Sequence, residues 1–448
     1  MSKHYRIVFE TYELSEKKEI PLSSSIIKCG SVDRPIDIFS VGLSHKEQIE
    51  LIQTSQDLLI QEQFQLEPVD DYCPNCPSSN LVKYGKRRSQ YHDVFTDHTV
   101  TIGRKRCMKC NYEPACAIKN VIGKTASGDL LRLQSELGAE HTYRESEKIF
   151  SWFSRLKRRI NNHDRIKKTV EQVGAQIEEL NKIETMVAST KPAKELVISV
   201  DGGHINTNEK GKRTFEAMTA VIYRPESLVS HGNETRNMLL SKHCSASSLS
   251  DSQQQMKSST IIAALKQGLS PQTSITALCD GADNCWQIAD SLGPLSASMT
   301  RVLDWFHVSM KLHNISLPEK LKTKLIRVKW HLWRGNVDNA LIRISELIEA
   351  CPSAYKIRLK KLESYLKNNS DKIVNYRDRQ KKNLVFTSNL AESTVESLIN
   401  RRCKGQQHMR WSREGLNPVL QLRATISSND WDQTWKGPVA ILEKILML

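Results

Sequence analysis

Two stretches of this 448-residue chain end an apolar run in an acid followed by glycine. Leu196-Val-Ile-Ser-Val200 runs into Asp201-Gly-Gly, and Ser274-Ile-Thr-Ala-Leu-Cys279 runs into Asp280-Gly-Ala-Asp. Such runs read as buried strands. Each acid is therefore carried to a strand tip at a sheet edge, and the glycine lets a backbone, an ion or a phosphate come close. If the two strands are neighbours, Asp201 and Asp280 stand side by side. Carboxylates that close repel and must share a proton or a cation. A hard divalent ion, Mg2+ or Mn2+, bound through oxygen and keeping waters meets that demand. With a third carboxylate the site could hold two ions, one activating a nucleophile and one stabilising a leaving oxygen, as phosphodiester chemistry requires. Glu392 and Glu396 lie four apart on a predicted helix over 389–402, so they share one face, and either could complete the set.

A second constellation is made of sulfur. Cys73-Pro-Asn-Cys76 and Cys107-Met-Lys-Cys110 are two Cys-x-x-Cys turns separated by β-rich segments. Each turn presents two thiolates to one tetrahedral centre, and two such turns on adjacent hairpins close a structural zinc site. A module this small depends on its metal to stay folded. Cys116 is a spare thiol near enough to be an alternative ligand. Eleven cysteines, four of them so paired, favour metal over disulfides and fit a reducing compartment.

The elements that must position these groups follow from the patterning. Residues 1–65 read as a small α/β element with a strand at its start and a helix over 46–62, suited to packing or oligomerisation. Residues 66–120 form the zinc-ribbon-like four-cysteine module. Residues 125–190 are helical, with the short-helix, turn, basic-helix order of a helix-turn-helix; Arg155, Lys157, Arg158, Arg159, Arg165, Lys167 and Lys168 are its candidate DNA contacts. The stretch after residue 178 drifts into polar sequence that reads as a linker. Residues 194–316 form the first part of an α/β core, with 215–223 as an antiparallel return strand and a possible third strand near 236–241. Residues 317–385 read as a basic helical insertion whose tryptophans serve either its core or a DNA backbone. Residues 386–448 return to the core, where Arg401, Arg402, Arg410 and Trp411 are further candidate DNA contacts.

A net charge of +15 and a pI near 9.2 suit a polyanionic partner, by default nucleic acid. No apolar run is long enough to span a bilayer, and the N-terminus lacks a signal-peptide pattern, which points to the cytoplasm and away from a membrane.

Taken together, Asp201-Gly-Gly, Cys279-Asp280-Gly-Ala-Asp-Asn-Cys-Trp286, Leu303-Asp304-Trp-Phe-His307, Leu390-Ala-Glu392-Ser, His408-Met-Arg-Trp411-Ser and the Asn429-Asp-Trp431…Trp435 segment resemble bacterial insertion-sequence transposases of the ISKra group. The resemblance covers roughly residues 120–436. It implies an RNase H-like catalytic fold, a mixed sheet flanked by helices, with a DDE triad at Asp201, Asp280 and Glu392 holding two Mg2+ or Mn2+ ions. It makes Asp304 and His307 organisers of the site, with Glu396 in support. It also implies strand cleavage at the element's ends and strand transfer into target DNA by a homo-oligomer bound to double-stranded terminal inverted repeats and target. The segment before the glutamate, Thr387-Ser-Asn-Leu-Ala, lacks the glycine-bearing turn expected there, and the stretch before Met409 is about one residue longer. Two other readings fit the same residues: a zinc-containing DNA-binding regulator derived from an inactive transposase, and another RNase H-like nuclease.

Overall fold

The computed structural model describes residues 3–15, 18–63, 72–73, 75–113, 125–156, 158–183, 191–230, 237–388, 396–405 and 409–436. It divides into two compact units, the first reaching Thr169 and the second beginning at Val170.

The first unit opens with a long antiparallel hairpin, β1 (Lys3–Ser15) and β2 (Lys18–Val32), followed by helix α1 (His45–Gln63). A second hairpin, β3 (Leu81–His92) and β4 (Asp97–Cys107), carries the cysteine turns at its open end. On β4, His98, Val100 and Ile102 alternate inward and meet Ile60 of α1 and Tyr91 of β3, as the period-2 pattern of a half-buried strand requires. Four helices follow: α2 (Gly128–Glu140), α3 (Tyr143–Phe153), the single turn α4 (Arg158–Asn161) and α5 (His163–Ile183). Ser127 caps α2, and Thr142 with Glu145 forms a reciprocal capping box on α3. Buried Gln134 joins three of these helices: its amide donates to Ile160 O and Asn161 Oδ1, and its carbonyl accepts from the Thr169 hydroxyl. Helix α5 continues to Ile183, through the first residues of the polar stretch expected to be linker, of which 184–190 lie outside the described residues.

The second unit is built on five strands: β5 (Glu195–Asn206), β6 (Thr214–Tyr223), β9 (His243–Ser247), β10 (Ser274–Cys279) and β11 (Ser298–Leu303). Their order is β11-β10-β5-β6-β9, with β10 parallel to both β5 and β11, and β6 antiparallel to β5 and β9. Leu196 to Val200 are all buried, the continuous apolar signature of a strand covered on both faces. The third antiparallel strand is β9; the residues expected to form it instead give β8 (Asn237–Leu239), paired with β7 (Leu228–Ser230) in a separate ribbon. Helices α6 (Gln254–Lys266) and α7 (Asp283–Asp290) flank the sheet, and α8 (Trp305–His313) follows β11. The helical insertion comprises α9 (Glu319–Trp333), α10 (Val337–Ala350), α11 (Ser353–Asn368) and α12 (Tyr376–Lys381). Trp305, Trp333, Tyr376 and Phe386 pack ring against ring where it leaves and rejoins the sheet, whereas Trp330 stays more than half exposed. The return passes through a π-helical turn α13 (Glu396–Arg401), then α14 (Arg413–Ser427) and α15 (Trp431–Lys436). Among the described residues no helix is long and apolar enough to cross a membrane.

In the first unit, His98 is buried between two carboxylates. Its Nδ1 lies 2.6 Å from Asp57 Oδ1 on α1, and its Nε2 lies 2.9 Å from Asp93 Oδ2 in the hairpin turn. Burial alone would lower its pKa, but the two acids outweigh burial and raise it. Burial likewise works against the Asp93 carboxylate, yet His98 and the turn amides hold its pKa below the ordinary value. A raised histidine pKa gives stability that is complete below its unfolded value, about 6.5, and is lost as pH rises through the folded value. A depressed aspartate pKa gives stability that is lost as pH falls through the folded value. Unfolding of this unit, followed by circular dichroism, should therefore be most resistant between about pH 4 and 6.5. His98→Gln should cost about 1–3 kcal/mol within that window and flatten its alkaline side.

Candidate metal centre and acidic cleft

The acidic cleft begins with register. β10 pairs in parallel with β5, Cys279 opposite Val200, so Asp280, the residue after β10 ends, stands level with Asp201 of β5. β11 pairs with β10 one strand further out, Leu303 opposite Cys279, and Asp304 follows it. Asp280 and Asp304 thus stand at the carboxyl ends of β10 and β11, where open α/β sheets present ligand-binding groups, while Asp201, expected at a strand tip, lies inside the longer β5, paired with Thr219 of β6. Asp201, Asp280, Asp304, His307 and Ser388 line one small cleft. β5 runs on past Asp201 to Asn206 with β6 as partner, while β10 has ended, so the sheet opens beside Asp201.

The acids differ in how they are held. Asp201 Oδ1 accepts from the Gly202 amide at 2.8 Å, and Asp280 Oδ1 accepts from the Ala282 amide at 2.9 Å. Burial raises the Asp201 pKa, and the negative charges of Asp280 and Asp304 raise it further, against the opposing pull of His307. Asp304 caps α8 and is saturated: Oδ1 accepts from the Phe306 and Ser388 amides, and Oδ2 from His307 Nδ1 at 2.7 Å and the Ser388 hydroxyl at 2.5 Å. Burial opposes its charge, yet the His307 and Ser388 hydrogen bonds hold its pKa below the ordinary range. Burial likewise opposes the charged form of His307, but Asp304, Asp201 and Asp280 raise its pKa above the usual value. Asp304 therefore positions His307 and leaves its Nε2 as the ring nitrogen for a ligand or a proton.

Helices on both faces fix these strand ends. β5 pairs with β6 without a register shift from Val197 to Asn206, so side chains alternate faces. A Cβ at Gly202 would strike Glu216, which Asn284 of α7 holds through Nδ2 at 2.6 Å. A Cβ at Gly203 would come within 3.0 Å of Ile399 in α13. The two glycines face opposite ways, so α13 lies on the face that carries Asp201. Buried Arg423 of α14 ties that turn down by donating to the Ser397 and Leu398 carbonyls. Glu392 lies outside the described residues, and of Glu396 the backbone alone is described.

The insertion grips the second acid. Tyr365 of α11 donates its hydroxyl to the Asp280 carbonyl at 2.6 Å, and Asn369 accepts from the buried Trp286 indole at 3.4 Å. Gly281 has φ +100, and a Cβ there would lie 2.7 Å from the Tyr365 ring and 2.9 Å from the Asn369 amide. Sequence reasoning missed Ser388, Tyr365, Asn369 and Arg423, whose partners are remote in sequence; Gly281, directly after an acid at a strand end, was the available signal.

The four cysteines come together as expected. The Sγ atoms of Cys73, Cys76, Cys107 and Cys110 lie within 4.8 Å of one another and could hold a structural metal such as zinc. Cys73 and Cys110 are 3.6 Å apart, as are Cys76 and Cys107. Hydrogen bonds from the Tyr112 backbone and the Asn75 side chain lower Cys110 to about 6, and backbone amides lower Cys107, as thiolate ligands require. Cys76 is pushed up to about 12, chiefly by the neighbouring Cys110 sulfur. Among the described residues this is the group that brings three or more potential metal-ligand atoms so close.

The candidate DNA contacts divide. Arg155, Arg159, Arg165, Lys167 and Lys168 are exposed in the first unit; Arg155 reaches Glu50 and the Lys46 carbonyl, and Arg159 reaches Gln90. Lys157 and the Arg158 side chain lie outside the described residues. Arg401 and Arg410 are exposed in the second unit. Arg402 and Trp411 are corrected: both are buried, with the guanidinium 4.9 Å from the indole centroid. Trp411 also bridges to Thr207 beyond the end of β5. Their cation and ring are spent on interior packing and do not face a phosphate backbone.

Two measurements follow from these sites. The purified protein should carry one zinc per chain by native mass spectrometry, and Cys107→Ser should lose it; metal-free wild type would refute the centre. Gly281→Ala must accept an unfavourable φ as well as contact with Tyr365 and Asn369, and thermal unfolding should show a loss of about 1–3 kcal/mol. The chain matches no protein-family model and no curated protein sequence.

Proposed function

We propose that this chain is a DDE transposase of the insertion-sequence type, a DNA-cleaving and strand-transferring enzyme with an RNase H-like core. The observation that carries the reading is the parallel register of β5 and β10, which brings Asp201 and Asp280 to the same level on adjacent strands in one cleft. The strand order supports it: three antiparallel strands β5-β6-β9, with β10 and β11 parallel to β5 on its other side, form the kind of mixed sheet such a core would need. Glu392 would complete the set from the segment leading into α13, with Glu396 the alternative one helical turn on.

The acids fit a divalent cation. Asp201 is half-buried beside like charges, and a cation relieves that repulsion without protonating it. Asp201, Asp280 and Glu392 would hold two Mg2+ or Mn2+ ions, which when bound supply Lewis-acid activation of water and charge stabilisation at phosphorus. The chain's own part is positioning. Asp304 orients His307, whose raised pKa keeps a proton available near the leaving oxygen. Tyr365 and Gly281 hold Asp280 at its level in the sheet. The exposed cations of the first unit, the zinc ribbon included, would bind the phosphates of terminal repeats, as expected of a homo-oligomer assembled on double-stranded DNA.

The test is Mg2+-dependent cleavage of linear duplexes bearing the ends of the element that encodes the chain. Asp280→Asn should reduce strand cleavage by at least about 10²-fold while leaving duplex binding intact. Equal cleavage by both proteins would refute the acid assignment and leave the regulator reading.

A further inference from the structure

Beside the acidic cleft, on the side of the insertion, lies an open groove of about 270 Å3 between α8 and α11. Its floor is Ile315, Leu362 and the ring of Tyr365, and its cations are Lys311, Arg358 and Lys361. On α11 the contributors fall at 358, 361, 362 and 365, the i, i+3, i+4, i+7 stripe of one helix face. No carboxylate lines the groove, and among the described residues neither Arg358 nor Lys361 is in an ion pair. Lys311 sits over the Tyr365 ring at 4.4 Å. Three cations converging on an apolar, partly aromatic floor suit a ligand that is anionic at one end and flat and apolar at the other. The groove is also one side chain away from Asp280, since the Tyr365 hydroxyl touches the Asp280 carbonyl at 2.6 Å.

The geometry points to this groove as the binding site for one nucleotide of a DNA strand next to the phosphate at the acids: Lys311, Arg358 and Lys361 take its phosphates, and Ile315, Leu362 and Tyr365 take its base. The assignment rests on the DNA-cleavage reading of the acidic cleft. Tyr365 then joins the two sites, its ring in the groove and its hydroxyl on the Asp280 backbone. Asn314, the remaining residue of the lining, is its one uncharged amide, so contact with the phosphates and the face of the base outweighs base-edge reading and sequence preference is weak.

The probe is a 5′-fluorescein-labelled twelve-residue thymidine single strand carrying one photoactivatable 4-thiothymidine, bound to the full-length protein without added Mg2+. Arg358→Ala/Lys361→Ala should weaken binding by roughly tenfold and lower the slope of log affinity against log salt by about 1.4, the value for two lost single-strand phosphate contacts. Lys320→Ala/Lys324→Ala, which removes two exposed cations of α9 in the same basic insertion, should weaken it far less. Irradiation should cross-link the strand to the peptide containing Leu362 and Tyr365. Wild-type affinity and slope in the Arg358/Lys361 variant, a loss no larger than that of the α9 variant, or a cross-link that avoids α8 and α11 would each overturn the assignment. Cleavage by Asp280→Asn at the wild-type rate would sink the enzymatic reading instead, and a groove cross-link obtained alongside it would leave the site standing as a strand-binding site.

Discussion

The second unit is organised around an unfavourable interaction, the placing of like charges at one level of adjacent parallel strands. In a sheet, neighbouring strands lie about 4.8 Å apart, and Asp201 and Asp280 follow paired residues Val200 and Cys279. Nothing in the apolar core below them needs acids there. Burial raises the Asp201 pKa, and the neighbouring acids raise it again. The thiols of Cys279 and Cys285, buried next to Asp280, are likewise pushed up. A fold that keeps such a cluster must either neutralise it or hold it rigidly against its own repulsion. The surrounding elements do the second. Asp304 gives both oxygens to four donors, and Asp201 and Asp280 are each tied by a backbone amide.

Most of that rigidity comes from segments far along the chain. Tyr365 and Asn369 belong to the insertion, yet they press on the turn after Asp280 so closely that only glycine fits at 281. Ser388 arrives at the insertion's end and closes on Asp304. Tyr376 donates to the Leu303 carbonyl, just before that acid. The insertion is thus structurally part of the cleft. It is also where charge concentrates: residues 317–385 hold 17 Lys and Arg against 7 Asp and Glu, in a chain of net +15. Acids gathered in the cleft and cations spread on the insertion beside it give one surface two adjoining potentials, as the proposed function would require.

How much was legible beforehand depended on the range of each interaction. The strands around Asp201 and Asp280 were legible because a doubly covered parallel strand writes a continuous apolar run, and so was the four-cysteine cluster, because its chemistry lies in spacing alone. Asp304 and His307 were read as organisers of the site; in the fold Asp304 accepts four hydrogen bonds, one of them from His307. The third antiparallel strand was misplaced: the apolar residues near 239 were more conspicuous than the small, buried Cys-Ser-Ala-Ser of β9, which packs without large side chains. Arg402 and Trp411 were misread because a cation beside an aromatic looks the same in sequence whether it faces DNA or folds inward. Local pattern does not say which face of α13 and its return meets β5, and that is a tertiary fact carried by Gly203 and Ile399.

The same logic of opposed charge governs the ribbon of the first unit. Lys83, Lys86, Arg87 and Arg88 are exposed on β3, and Arg104, Lys105 and Arg106 run back along β4, so cations crowd a two-stranded ribbon whose core is only Val100, Ile102, Tyr91 and Ile60. Two-stranded ribbons are marginal on their own, and the register of the ladder slips between Lys83 and Lys86, at a positive-φ Gly85. Tyr84 offers partial relief by accepting Arg104 and Arg106 over its ring at 5.5 and 4.9 Å. The ribbon must therefore be held at its ends. At one end the Leu81–Cys107 pair leads into the four sulfurs. At the other, His92 pairs with Asp97, and His98 sits between Asp57 and Asp93. A divalent metal on four thiolates would make one compact centre of formal charge −2, and a protonated histidine shared by two carboxylates leaves a net negative charge, so the two are equivalent solutions. Each clamps an end so that the positive stretch between them can stay exposed.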